Sequence, residues 1–285
     1  MTIEIEDVSF AYELTPEHPV LREISCRIEA GEFVGVTGVS EAGKTSFLRL
    51  IAGHIPHFFR GEMTGAVEVR GKPTNQVGIG ELAAEVGFVF ENPYDQLTGA
   101  ALTVRDEVAF GLENLGFPTE EIERRVQEAL GTVGCTDLAD RHPYRLSGGQ
   151  TQRIAIASVL SVGPEILVLD EPTSQLDPLG TEEVTRVVGG VHEQGSTVVM
   201  SSHDLASLAP VVDRLIVLEQ GRIRWDGSPR QVLGEALLSG FPIRVPDVTR
   251  IGHRLRAGGF VEANRPLPLD APEAAAELQA TGVPR

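Results

Sequence analysis

The feature that most constrains this chain is the run "EFVGVTGVSEAGKTSFLRLIAG" from Glu32 to Gly53. An apolar strand pattern leads into a glycine-rich stretch, and apolar residues then recur at helical spacing at Phe47, Leu48, Leu50 and Ile51. Gly38, Val39, Ser40, Glu41, Ala42, Gly43, Lys44 and Thr45 fit G-x-x-x-x-G-K-[ST], with Ser46 following. In this strand-loop-helix order, successive backbone N–H groups and a helix N-terminus converge on phosphate oxygens. Lys44 is expected to reach the β and γ phosphates of a nucleotide, and the Thr45 hydroxyl to bind Mg2+. Glu41 is the anomaly. The loop binds through its backbone, so this side chain is expected to project outward and leave the site competent, with backbone strain if the position needs positive φ.

A second apolar run, "EILVLDE" (Glu165 to Glu171), has the length and composition of a parallel strand buried on both faces. It delivers Asp170 for the magnesium and Glu171 beside an attacking water. "STVVMSSHD" and "RLIVLEQGRI" repeat the strand pattern, whereas "IEIEDVSFAY", "HPVLREISCRIEAGEFVGVTG" and "GAVEVRG" suggest an antiparallel layer near the start. Between Asn92 and Leu160 helical patterns dominate: "TVRDEVAFGLENL", "TEEIERRVQEALGTVG" with Thr119 expected as N-cap, and "GGQTQRIAIASVL". From Phe241 the chain turns rich in Pro and Ala, which reads as a small, partly helical appendage, loose at its end.

The charge of −17 repels nucleic acid and anionic lipid, so neither is the expected partner. The apolar runs are too short to span a bilayer, and the acidic, alternating start lacks the pattern of a secretion signal. Cys26 and Cys135 lack disulfide or zinc spacing and read as small core residues in a reducing compartment.

"LSGGQ" (Leu146 to Gln150), a small nest at a helix start, narrows the reading. With the loop and "ILVLDE" in the same order and spacing, the chain resembles the ATPase subunit of ABC transporters from about Ile3 to Leu233. The resemblance implies an α/β fold: a P-loop (RecA-like) parallel-sheet core, an antiparallel β subdomain, an inserted helical subdomain and a short C-terminal extension. The boundaries expected are 1–236 for the ATPase domain, about 92–162 for its helical part, and 237–285 for the extension.

By the same resemblance, ATP and Mg2+ are the cofactors. Tyr12 matches the aromatic that stacks on adenine; a tyrosine packed in the core is the alternative. Ser147, Gly148, Gly149 and Gln150 match the motif that touches the γ-phosphate held by a second subunit in a head-to-tail dimer. Asp177 matches the loop crossing that interface, and His203 the histidine at the γ-phosphate. Glu91 occupies the place of a glutamine that binds Mg2+ and signals to the membrane subunit, which implies slower or more Mg2+-dependent turnover.

The stretch "ENPYDQLTGAALTVRDEVAFGLENLGFP" is similar to the ATPases of energy-coupling factor (ECF) importers. The partners so implied are a second ATPase subunit, identical or related, a transmembrane coupling protein docked beside Glu91 to Gln96, and an integral membrane protein that captures a vitamin or metal ion. The location implied is the cytoplasmic face of the membrane. A conventional ABC importer ATPase, a soluble ABC-type mechanical ATPase and a nucleotide-binding scaffold without turnover are the competing readings.

Overall fold

The computed structural model describes residues 2–262 and 264–280. Among the described residues ten strands form two sheets: β1 (Ile3–Tyr12), β2 (Leu21–Ile28), β3 (Phe33–Gly38), β4 (Gly61–Val69), β5 (Lys72–Pro73), β6 (Val86–Val89), β7 (Ile166–Leu169), β8 (Thr197–Ser201), β9 (Arg214–Glu219) and β10 (Arg222–Gly227). The first sheet is antiparallel in the order β2-β1-β4-β5. The second runs β10-β9-β3-β8-β7-β6 and is parallel except for β10.

The parallel strands β3, β6, β7 and β8 are buried along their whole length, and β9 is buried between its charged ends, because both faces of the sheet are covered. Successive residues of β7 serve opposite layers. Leu167 and Leu169 join a core shared with the helical insertion, while Ile166 and Val168 join one shared with the antiparallel sheet and the helix Lys44–Ile51. Cys135 lies in the first core and Cys26 in the second, and burial pushes the Cys26 thiol up to about 12.

"RLIVLEQGRI" differs from the reading of a single parallel strand. Gln220 (φ 50°) and Gly221 (φ 80°) turn the chain between paired Glu219 and Arg222, so the segment becomes a tight hairpin with β10 reversed.

The insertion packs three helices, Val104–Asn114, Thr119–Thr132 and Gly148–Leu160. Thr119 is not the N-cap. Pro118 takes that place in extended geometry without a side-chain cap, and Thr119 is the first helical residue, followed by the acids Glu120 and Glu121. Thr103 instead caps its helix, in a reciprocal capping box with Asp106.

The helix Pro229–Ser239 runs through residue 236 and ends at Gly240 in the left-handed region (φ 66°). The appendage folds back on it. Arg230 pairs with Glu273 at 2.6 Å and donates to the Leu267 carbonyl, the Thr249 hydroxyl donates to the Pro268 carbonyl at 2.7 Å, and Val245 and Leu269 are buried in the core. The chain end expected to be loose, 281–285, lies outside the described residues.

Candidate active site

The C-terminal ends of parallel strands carry the site, as open α/β sheets dictate. β3 ends at Gly38, β7 leads to Asp170 and Glu171, β6 leads to Glu91, and β8 leads to His203.

The loop after β3 needs its two outer glycines. A Cβ on Gly38 (φ 153°) would sit 2.3 Å from the Leu218 carbonyl oxygen, and one on Gly43 (φ 101°) 2.8 Å from that of Val20. Glu41 is exposed and holds φ at 62°, the left-handed region. The strain anticipated from sequence is therefore present, at about 1–2 kcal/mol. Lys44 opens the helix and its Nζ donates to the carbonyls of Gly38 (3.3 Å) and Val39 (3.4 Å), lying 3.9 Å from Glu171 Oε1.

A cavity of about 390 Å³ opens here, and Glu41, Lys44, Thr45 and Ser46 line it together with Glu91, Glu171 and His203. Glu171 is held from two sides: its Oε2 lies 2.8 Å from His203 Nδ1 and accepts from the His203 backbone N–H at 3.1 Å. An ionised carboxylate only accepts, so this geometry assigns the proton to Nδ1. Glu91 is exposed, and its Oε1 accepts from the Ser174 hydroxyl at 3.5 Å.

Sequence reading missed Ser201. Its buried hydroxyl donates to Asp170 Oδ1 at 2.8 Å and accepts the Glu171 N–H at 2.8 Å, so one side chain orients both acids. The only local hint was its place two residues before His203, and no spacing rule identifies it. Tyr12 is also anchored: its hydroxyl shares a 2.8 Å hydrogen bond with Ser46 Oγ, and its ring meets Phe10 and Phe59 edge to face. Both suggested roles retain support, since Tyr12 is half-buried rather than enclosed.

Ser147 to Gln150 and Asp177 do not line this cavity. Ser147 caps the helix Gly148–Leu160 reciprocally with Gln150, and its side chain is exposed beside Gly148 and Gly149. Asp177 caps the helix Pro178–Glu193, accepting from the Gly180 N–H at 2.7 Å.

Thr45, Asp170 and Glu91, the residues expected at Mg2+, offer only oxygen donors, the chemistry Mg2+ takes; Thr45 and Glu91 line the cavity, and Asp170 lies one residue before Glu171, which also lines it. Among the described residues no group of three or more His, Cys, Asp or Glu side chains forms a cage. Such an ion fits this site with phosphate and water completing its shell.

A phosphate-binding loop facing an oriented glutamate defines a nucleotide-hydrolysing cassette. The sequence profile of the ABC transporter family matches residues 21–174. An ABC transporter ATP-binding protein by description from Pyrococcus horikoshii is 43% identical over 91% of each chain. The energy-coupling factor transporter ATP-binding protein EcfA1 of Enterococcus faecalis is 37% identical over 89% of this chain and 90% of its own. Among solved structures, cbiO1 from Clostridium perfringens, part of the ABC transporter complex cbiONQ, superposes with TM-score 0.74 at 30% identity, covering 90% of this chain and 98% of that one. The dimeric cassette MJ0796 bound to ADP and Pi gives TM-score 0.70 at 28% identity, covering 80% and 99%.

The chain belongs to the ABC transporter ATP-binding family. Its activity is ATP hydrolysis coupled to transport. Among the described residues no helix is long and apolar enough to cross a membrane.

Proposed function

We propose that this chain is the energy-coupling ATPase of an ECF-type importer for a vitamin or transition-metal ion. The observation that carries this reading is the likeness to EcfA1, which spans nine-tenths of both chains and so reaches beyond the ATPase domain into the C-terminal extension. In this reading two ATPase subunits, identical or related, pair head to tail on the cytoplasmic face of the membrane. The dimeric neighbour with ADP and Pi supports that pairing, as does the exposure of Ser147 and Asp177 away from their own cavity.

ATP enters with its phosphates at the backbone of Gly38 to Thr45, and Lys44 turns from the loop carbonyls toward the γ-phosphate. Tyr12 offers its ring to adenine. Thr45, Asp170 and Glu91 would hold Mg2+, which when bound would supply charge neutralisation at the phosphates. Glu171 orients the attacking water and accepts its proton, while His203 holds that carboxylate and approaches the γ-phosphate. Ser147 to Gln150 and Asp177 complete the partner's site, so ATP closes the dimer and hydrolysis reopens it.

The closing motion passes to a transmembrane coupling protein and a membrane-embedded capture protein. Leu102, Phe110 and Leu115, exposed on and beside the helix Val104–Asn114, supply apolar surface on the helical insertion that such a partner could cover.

The test is steady-state hydrolysis by the purified chain with Mg2+, alongside Glu171→Gln, while light scattering follows oligomeric state. A slow wild-type rate and an ATP-trapped mutant dimer support the reading. ATP binding without hydrolysis or dimerisation would require a different partner ATPase. Co-purification with a coupling protein separates the ECF reading from a conventional transporter.

A further inference from the structure

Two segments beside the site carry one pattern. Asn92-Pro93-Tyr94-Asp95 follows Glu91, and His142-Pro143-Tyr144-Arg145 precedes Leu146 and Ser147. Each folds as a single 3-10 turn, Pro93–Asp95 and Pro143–Arg145, with its proline buried. Each is capped by the side chain before the proline: Asn92 Oδ1 accepts from Tyr94 N–H at 3.2 Å, and His142 Nδ1 from Tyr144 N–H at 3.3 Å. Proline and cap together fix the direction in which each tyrosine leaves the backbone.

The two rings then lie on one another. Their centroids are 6.2 Å apart with planes 18° from parallel, an offset stack between residues fifty positions apart. Both rings remain about half exposed, at 46% for Tyr94 and 51% for Tyr144, so neither is placed by the core.

We propose that Tyr94 and Tyr144 are positioning residues that couple the Glu91 wall of the nucleotide cavity to the serine of the "LSGGQ" motif. The inference rests on the roles proposed above for Glu91 and Ser147. Glu91 lines the cavity, whereas the exposed Ser147 does not, so a response of Ser147 to occupancy has to cross from the sheet to the helical insertion. A rigid turn three residues from each functional group, joined ring to ring, supplies that crossing. The Pro93–Asp95 turn also packs on the helix Gly148–Leu160, so the stack adds direction to a joint that already exists.

Hydrogen exchange of the full-length chain across residues 142–150, with and without Mg-ATP and at a dilution that keeps it monomeric, tests this. Wild type, Tyr94→Ala, Tyr144→Ala, the double variant and Tyr94→Phe are compared. ATP is expected to slow exchange in this segment of wild type. Either alanine is expected to reduce that response roughly 3- to 10-fold, the size a single aromatic stack supports. The double variant should be no worse than either single one, Tyr94→Phe should restore the response, ATP affinity should stay at its wild-type value, and thermal midpoints should fall by only a few degrees.

An ATP response that survives both alanines, or losses that simply add, would overturn the inference. So would rings that matter only once membrane partners are supplied, because they would then be docking residues. Failure to bind ATP would overturn the functional reading and the coupling together. Binding without any exchange response would overturn the coupling alone.

Discussion

His203 Nδ1 and Glu171 Oε2 lie 2.8 Å apart, and the His203 N–H reaches the same oxygen. The carboxylate is thus held in one orientation beside the cavity before any water arrives. Glu171→Gln is expected to lower kcat by about 10²–10⁴-fold while ATP binding persists, because general-base contributions have that size. His203→Ala should lower kcat with little change in ATP affinity. Phosphate-release kinetics beside equilibrium nucleotide binding check both.

Ser201→Ala leaves the buried Asp170 without its hydroxyl donor and the Glu171 N–H without its acceptor. The expected loss is about 1–3 kcal/mol of stability, the penalty for stranded buried polar groups. Because both acids lose orientation, kcat should fall with it. Urea unfolding and turnover of the same preparation measure the two effects.

Glu41 sits at φ 62°, where a β-branched side chain is strained most. Glu41→Val should destabilise the chain by about 1–2 kcal/mol, and Glu41→Gly should retain both fold and nucleotide binding. Loss of binding in Glu41→Gly would mean that the carboxylate itself takes part.

Glu91 brings a negative charge to the cavity that Lys44 also lines. Glu91→Gln should raise turnover and shift its Mg2+ dependence, since an amide keeps one oxygen ligand and removes the charge. Unchanged rate and unchanged Mg2+ titration would refute this.

Burial, with the positive charge of Arg49, lowers the His54 imidazole to about 4. The ring lies among Phe58, Phe88 and Phe90. An unfolded histidine titrates near 6.5, so between these values the unfolded chain binds the extra proton. Its stabilising contribution is complete above about pH 6.5 and declines as pH falls toward 4. Discounted for partial exposure, the effect is on the order of 1–2 kcal/mol. Denaturant midpoints from pH 7 to 4.5 should fall less steeply in His54→Asn than in wild type.

Much of this protein was determined locally. The loop from Gly38 to Thr45, the strand ending at Asp170 and the helix Gly148–Leu160 follow from glycine placement, continuous apolar runs and 3.6-residue periodicity, all visible within a dozen residues. At Glu41 the sequence carried only the condition, strain if the position needs positive φ, and the structure supplied the angle.

Tertiary structure alone decided how separated groups meet. Placing β3 between β8 and β9, with β7 beyond β8, brings Lys44, Glu171 and His203 to one cavity and slips Ser201 between two acids. Strand order depends on which faces the whole chain can bury together, and no local pattern encodes it. The same reason hid the return of Glu273 to Arg230 and the meeting of Tyr94 with Tyr144. Each residue was readable where it stood, but its partner was chosen by packing across the molecule.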